Sequence, residues 1–167
     1  MEARRMNTKT TKRNSRLSAL IAVIVILMTL SACGDNRVYD HYEHATVGGW
    51  EKNDALAFDI PALAESGRYT LSLGIRTNDA YPFQNLSLVV EQTSFPSKKT
   101  AVDVVNCDIA NHNGRMLGNG ITLYQYSIPI RKKFHMRGDS LHITVRHNMK
   151  REILPGIVDI GIKMDKE

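Results

Sequence analysis

Apolar and polar residues alternate along much of the chain. Tyr69, Leu71, Leu73 and Ile75 fall on one side of an extended segment, with Thr70, Ser72, Gly74 and Arg76 on the other. A period of two marks a strand with one face buried. The pattern recurs at Leu86, Leu88 and Val90 against Ser87 and Glu91, and at Leu141, Ile143 and Val145 against His142, Thr144 and Arg146. It returns once more at Ile160, Ile162 and Met164 against Asp159, Gly161 and Lys163. Residues 38–43 alternate more weakly as a first strand, and 56–60 form another, ended by Pro61. Residues 62–66 fit one helical turn before Gly67. Residues 99–109 carry apolar side chains on both faces (Val102, Val104, Val105, Cys107), which predicts a strand covered on both sides. Residues 121–130 return to strand and stop at Arg131-Lys132-Lys133. Asn78-Asp79, Phe95-Pro96-Ser97 and the Asn/Gly-rich stretch 111–120 read as turns and loops, the last a mobile one. About eight short strands separated by turn chemistry predict an all-β fold, an antiparallel β-sandwich of jelly-roll or immunoglobulin-like type.

The exception to this pattern is the N-terminus. Six basic residues (Arg4, Arg5, Lys9, Lys12, Arg13, Arg16) precede an apolar run from Leu17 to Leu30, which closes on Ser31-Ala32-Cys33-Gly34. A basic head, a short apolar segment and small residues before a break make a secretory signal. The run falls short of the roughly twenty residues needed to cross a bilayer as a helix. Leu30-Ser31-Ala32-Cys33 resembles the bacterial lipobox, in which the cysteine is acylated and becomes the first mature residue. The domain expectation is therefore a lipoprotein signal peptide over 1–32, a lipidated tether over 33–37 and a β-sandwich over 38–167. An uncleaved membrane anchor is the alternative.

Removing the leader changes the charge argument. The whole chain has 22 Lys+Arg against 17 Asp+Glu, a net charge of +5. The leader holds the six bases named above and one acid, Glu2, so the remainder balances to zero. A balanced domain lacks the basic footprint that nucleic-acid binding requires. With Cys33 lipidated, Cys107 has no partner within the chain, and its setting in Val104-Val105-Asn106-Cys107 reads as a small buried side chain.

Catalytic chemistry finds no local motif. His41-Tyr42-Glu43-His44 lacks zinc spacing, and His142 and His147 point to opposite faces of one strand. There is no Gly-x-Ser-x-Gly elbow, and Gly114, Gly118 and Gly120 lack the Lys-Ser/Thr and helix of a phosphate loop. No cofactor or metal is implied, and nothing singles out a small-molecule ligand. Trp50, Tyr81 and Phe83 are candidates for a sugar-stacking platform, but Trp50 fits a sandwich core better. Carboxylates assembled in space, as for a hydrolase, are a weaker reading.

Two stretches are more specific. Arg76-Thr-Asn-Asp-Ala-Tyr81-Pro82-Phe83-Gln-Asn85-Leu86 leaves one strand and enters the next. Arg115-Met-Leu-Gly118-Asn-Gly120-Ile-Thr-Leu123-Tyr124 is followed by Arg146-His-Asn-Met149-Lys-Arg-Glu-Ile-Leu154-Pro155-Gly156-Ile157-Val-Asp159-Ile-Gly161. With the lipobox and the Val38-Tyr39-Asp40 opening, these resemble the GldH family of gliding-motility lipoproteins from Bacteroidetes. The resemblance implies an envelope lipoprotein, held on a membrane by its lipid, with the outer membrane favoured. It would serve the gliding apparatus and type IX secretion machinery by contacting other envelope proteins, without catalysis. A carbohydrate-binding surface lipoprotein on the same fold is the alternative. Within the first stretch, Pro82 stiffens the connection and Arg76 could tie down loop carbonyls, while Asn85 could cap its own backbone. If Tyr81 and Phe83 are exposed at the loop tip, then Arg76, Tyr81, Pro82, Phe83 and Asn85 form a candidate partner-binding loop.

Overall fold

The computed structural model describes residues 36–46 and 48–167. The expected signal peptide, Cys33 and the start of the expected tether lie outside them. From Asn36 to Glu167 the chain forms one compact unit. Its strands are β1 (Arg37–His44), β2 (Trp50–Glu51), β3 (Leu56–Ile60), β4 (Gly67–Asn78) and β5 (Asn85–Phe95). They continue as β6 (Lys99–Asp108), β7 (Leu123–His135), β8 (Ser140–His147), β9 (Ile153–Leu154) and β10 (Ile157–Lys166).

Two four-stranded antiparallel sheets, ordered β1-β10-β4-β7 and β3-β8-β5-β6, enclose the core, and β2 and β9 pair separately. Among the eight long strands, β5 and β6 alone are consecutive within one sheet; every other connection crosses to the opposite sheet. That alternation is the winding of a jelly roll rather than of an immunoglobulin domain, whose hairpins stay within a sheet. The period-two residues meet between the sheets: Leu73, Ile75, Ile160 and Ile162 from one and Leu88, Ile143, Val145 and Phe58 from the other are fully buried.

Three local expectations are corrected. Residues 62–66 form no helical turn, because their backbone bonds outward: Leu63 N–H donates to the Asp139 carbonyl and the Leu63 carbonyl accepts from Gly138 N–H, both at 2.8 Å. Strand β6 is not covered on both sides. It is a sheet edge, with Val102 and Val104 exposed. Strand β7 does not stop at the basic triplet but pairs with β4 as far as Gly67↔His135. It too is an edge, where charged side chains reach partners beyond the sheet, Arg131 to Asp103 and Lys132 to Glu167, and where a proline such as Pro129 is tolerated. Within the 111–120 loop, Asn111 Oδ1 accepts from Asn113 and Arg115 N–H at 3.0 and 2.9 Å, and Leu117 N–H reaches the Ile109 carbonyl at 2.9 Å.

The outer face of the first sheet is also partly covered. Tyr42 lies flat across Gly74 and Gly161, where an added Cβ would come within 2.4 and 2.6 Å of its side chain. Two strand glycines thus make a bed for one aromatic ring. The Arg76 guanidinium stacks over that ring at 3.9 Å. Arg76 Nη1 also donates to Asp159 Oδ2 at 3.2 Å, while His44 Nδ1 bonds the other oxygen. Burial pushes the Tyr42 hydroxyl above its ordinary pKa, and Arg76 partly opposes the shift.

Candidate functional site

The β4–β5 connection and the segment after β8 meet at one end of the sandwich. The first begins with a turn in which Asn78 Oδ1 accepts from Ala80 N–H at 3.0 Å and the Asn78 carbonyl accepts from Tyr81 N–H at 3.2 Å. Asn78 N–H donates to the Gly156 carbonyl at 2.9 Å. Gly156 has φ +79°, and a Cβ there would lie 2.1 Å from Tyr81 N. The two specific stretches of the sequence are therefore packed backbone against backbone.

Tyr81 is buried, only 5% exposed, and its hydroxyl donates to the Asn85 carbonyl at 2.8 Å. Burial, reinforced by Cys107 and Tyr126, raises its pKa well above the usual tyrosine range. The expectation of an exposed Tyr81 is thus corrected: the loop folds back and its hydroxyl closes the turn. Arg76 ties down no loop carbonyl, because its guanidinium is engaged by Tyr42 and Asp159 on the sheet face. Asn85 contributes its carbonyl, with its side chain exposed, and Pro82 is exposed.

Phe83 is the aromatic residue of the loop that remains partly accessible. Its ring meets Tyr81 edge to face at 5.6 Å and packs against the core. With Asn148, Met149, Lys150 and Arg151 it lines a concavity of about 540 Å³. Met149 is anchored there, since Ser87 N–H points at its Sδ at 3.4 Å and Asn148 N–H donates to the Ser87 carbonyl at 2.8 Å. The floor is a phenyl ring and a thioether, both able to adapt to an apolar partner. Lys150 and Arg151 supply a basic rim. Met149, Lys150 and Arg151 lie in the second specific stretch of the sequence, but their distance along the chain from Phe83 hid the association.

The remaining candidates fall elsewhere. Trp50 is fully buried, donates Nε1–H to the Asp54 carbonyl at 2.8 Å and meets His147 edge to face at 5.3 Å. Cys107 is buried and unpaired, and burial with the neighbouring Asp108 pushes its thiol up to about 11. His41, His44 and His142 pair with Glu43, Asp159 and Asp59 respectively. Among the described residues no group of three potential ligands could hold a metal ion. The exposed phenylalanines, Phe95 and Phe134, sit on strands of different sheets and form no row.

Fold and site together define a small jelly-roll domain with an apolar, basic-rimmed concavity at its loop end. The GldH lipoprotein family model matches residues 37–164, and the chain belongs to that family. It is 33% identical over 151 residues to the gliding motility lipoprotein GldH of Flavobacterium johnsoniae, covering 83% of this chain and 90% of that protein. It is 29% identical over 150 residues to a gliding motility lipoprotein GldH homolog of Christiangramia forsetii, covering 84% and 90%. Among solved structures it is similar to a 4-O-methyl-α-glucuronidase with specificity for decorated arabinogalactans, at TM-score 0.43 and 14% identity over 78% of this chain and 18% of that one. It is also similar to a family 35 carbohydrate binding module from Clostridium thermocellum, at TM-score 0.38 and 11% identity over 74% and 89%. Both structural likenesses are too loose to bear on function.

Proposed function

We propose that this chain is a lipid-anchored, non-catalytic envelope protein that supports gliding motility and type IX secretion by holding other envelope proteins. The observation that carries the reading is the family match, which spans nearly the whole described domain. Its relatives are named gliding motility lipoproteins. The basic, apolar and small-residue layout ending at Cys33 supports the anchor. Several acyl chains on one cysteine hold a protein on a membrane where one alone is marginal, since each buried methylene contributes about 0.8 kcal/mol. The outer membrane is the favoured location.

The concavity at Phe83 and Met149 is the docking point of this proposal. Its partner presents an apolar side chain flanked by acidic groups that meet Lys150 and Arg151. Fold-neutral charge reversal tests it, because both basic residues are exposed. In cells carrying Lys150→Glu with Arg151→Glu, the lipoprotein accumulates normally while colony spreading and export of secreted proteins decline. Unchanged spreading and export would remove the concavity from the mechanism. Separately, Cys33→Ala is expected to release the protein from membranes; a membrane-bound variant of unchanged mass would reject the lipid anchor.

A further inference from the structure

The four edge strands of the sandwich are not alike. The β1 register breaks between Arg37 and Tyr39. Strand β7 contains Pro129, and its register breaks opposite Leu71 and Ser72. Strand β3 has five residues and runs into Pro61. Bulges, prolines and shortness are three of the devices that stop an edge from recruiting another strand, and charged side chains are another. Strand β6 has none of the first three, and its charges are Lys99 and Asp108 at its ends and Asp103, which Arg131 neutralises. It is ten residues long and pairs with β5 without interruption from Asn85↔Asp108 to Ser94↔Lys99.

Among the described residues β6 has no ladder partner on its other side. The outward side chains at its centre, Val102 and Val104, are 56% and 59% exposed. Asp103 points the other way, where Arg131 of β7 holds it through two bonds of 2.7 and 3.2 Å. This edge is thus fixed in place, straight and apolar at its middle.

We propose that β6 pairs antiparallel with β6 of a second copy, joining two four-stranded sheets into one of eight strands. The charges along the strand select that occupant. Lys99, preceded by Lys98 in the turn, stands at one end and Asp108 at the other. An antiparallel copy with its twofold axis at Asp103 sets Lys99 of each chain opposite Cys107 of the other, which brings this basic end beside the other chain's Asp108. The same register sets Val102 against Val104 twice on the outer face. One patch is thereby complementary to itself, the requirement of an isologous interface. The two Asp103 carboxylates meet near the axis, each already neutralised by its own Arg131.

The register makes the proposal testable in membranes with the full-length chain. Two differently tagged copies are co-expressed, one with Val102→Cys and the other with Val104→Cys, and then oxidised. Directly opposed residues are close to disulfide reach, whereas diagonal ones, about 7–8 Å apart, are not. The expected result is a disulfide-linked species of twice the chain mass bearing both tags, gained in the mixture and missing when either variant is expressed alone. Pairing Val104→Cys with Ser87→Cys, which lies one strand inward, also gives none. The proposal is overturned if the mixture gives no such species while both variants accumulate as wild type. It is equally overturned if single variants cross-link as strongly as the mixture, or if the adduct has the mass of a different protein.

Discussion

Gly156 and Gly114 offer a matched pair for separating backbone conformation from packing. Their φ angles are +79° and +78°, so alanine at either position meets the same left-handed penalty, about 1–2 kcal/mol. Their surroundings differ. Nothing lies within 4 Å of a Cβ at Gly114, whereas at Gly156 it would sit 2.1 Å from Tyr81 N and 2.6 Å from two further backbone atoms. Those atoms belong to the β4–β5 connection, so no rotamer change relieves the overlap. The loops must separate, which loses the Asn78–Gly156 hydrogen bond and loosens buried Tyr81 and Ile157. A lost hydrogen bond accounts for about 1 kcal/mol and the loosened packing for about 1–2 kcal/mol more. Gly156→Ala is therefore expected to destabilise by about 3–5 kcal/mol, and Gly114→Ala by about 1–2 kcal/mol. Urea denaturation followed by fluorescence of Trp50, the single tryptophan and fully buried, reads the difference. Equal midpoints for the two variants would refute the backbone contact and the joining of the two stretches that depends on it.

Other outcomes follow from the same geometry. Tyr42→Ala uncovers Gly74 and Gly161 and frees Arg76; loss of the stacked cation and the ring's buried area should cost about 1–2 kcal/mol in the same denaturation, and no change would place the ring off the sheet. Burial holds His147 and His135 below the ordinary histidine pKa of 6.5. Their unfolded forms therefore take up protons first, so the stability they contribute is complete above pH 6.5 and falls as pH drops toward their depressed folded values. Each supplies at most about 1.4 kcal/mol per pH unit, and His147→Gln should flatten the slope between roughly pH 6.5 and 5. Cys107, with its thiol pushed up to about 11, should resist iodoacetamide at pH 8 in the folded protein and react once urea unfolds it; rapid labelling of the native form would contradict its burial.

The inner faces of the sandwich were legible because burial on one side leaves a period-two trace. Leu73, Ile75, Ile160 and Ile162 lie where alternation put them. The edges were not. Val102-Asp103-Val104-Val105 reads alike for a strand buried on both faces and for an exposed edge, since periodicity records apolarity and not what lies beside the strand. Arg131-Lys132-Lys133 looked like a stop because charge reads as loop, yet an edge strand tolerates it. Gly74 and Gly161, each inside a strand, carried a usable signal of close approach that pointed to a cover such as Tyr42. The site was only half visible. The loop of Tyr81 and Phe83 stood out in sequence, but its fold-back onto the Asn85 carbonyl and its junction with Met149 are tertiary facts with no local trace.

The central claim is that the domain acts by touching other envelope proteins at its loop end. A photo-cross-linking residue in place of Phe83, activated in intact cells, tests it most directly. The account predicts a discrete adduct with an envelope protein of the motility or secretion machinery, lost when Lys150→Glu and Arg151→Glu are added. Adducts confined to the chain itself or to glycan, with motility and secretion intact, would contradict it.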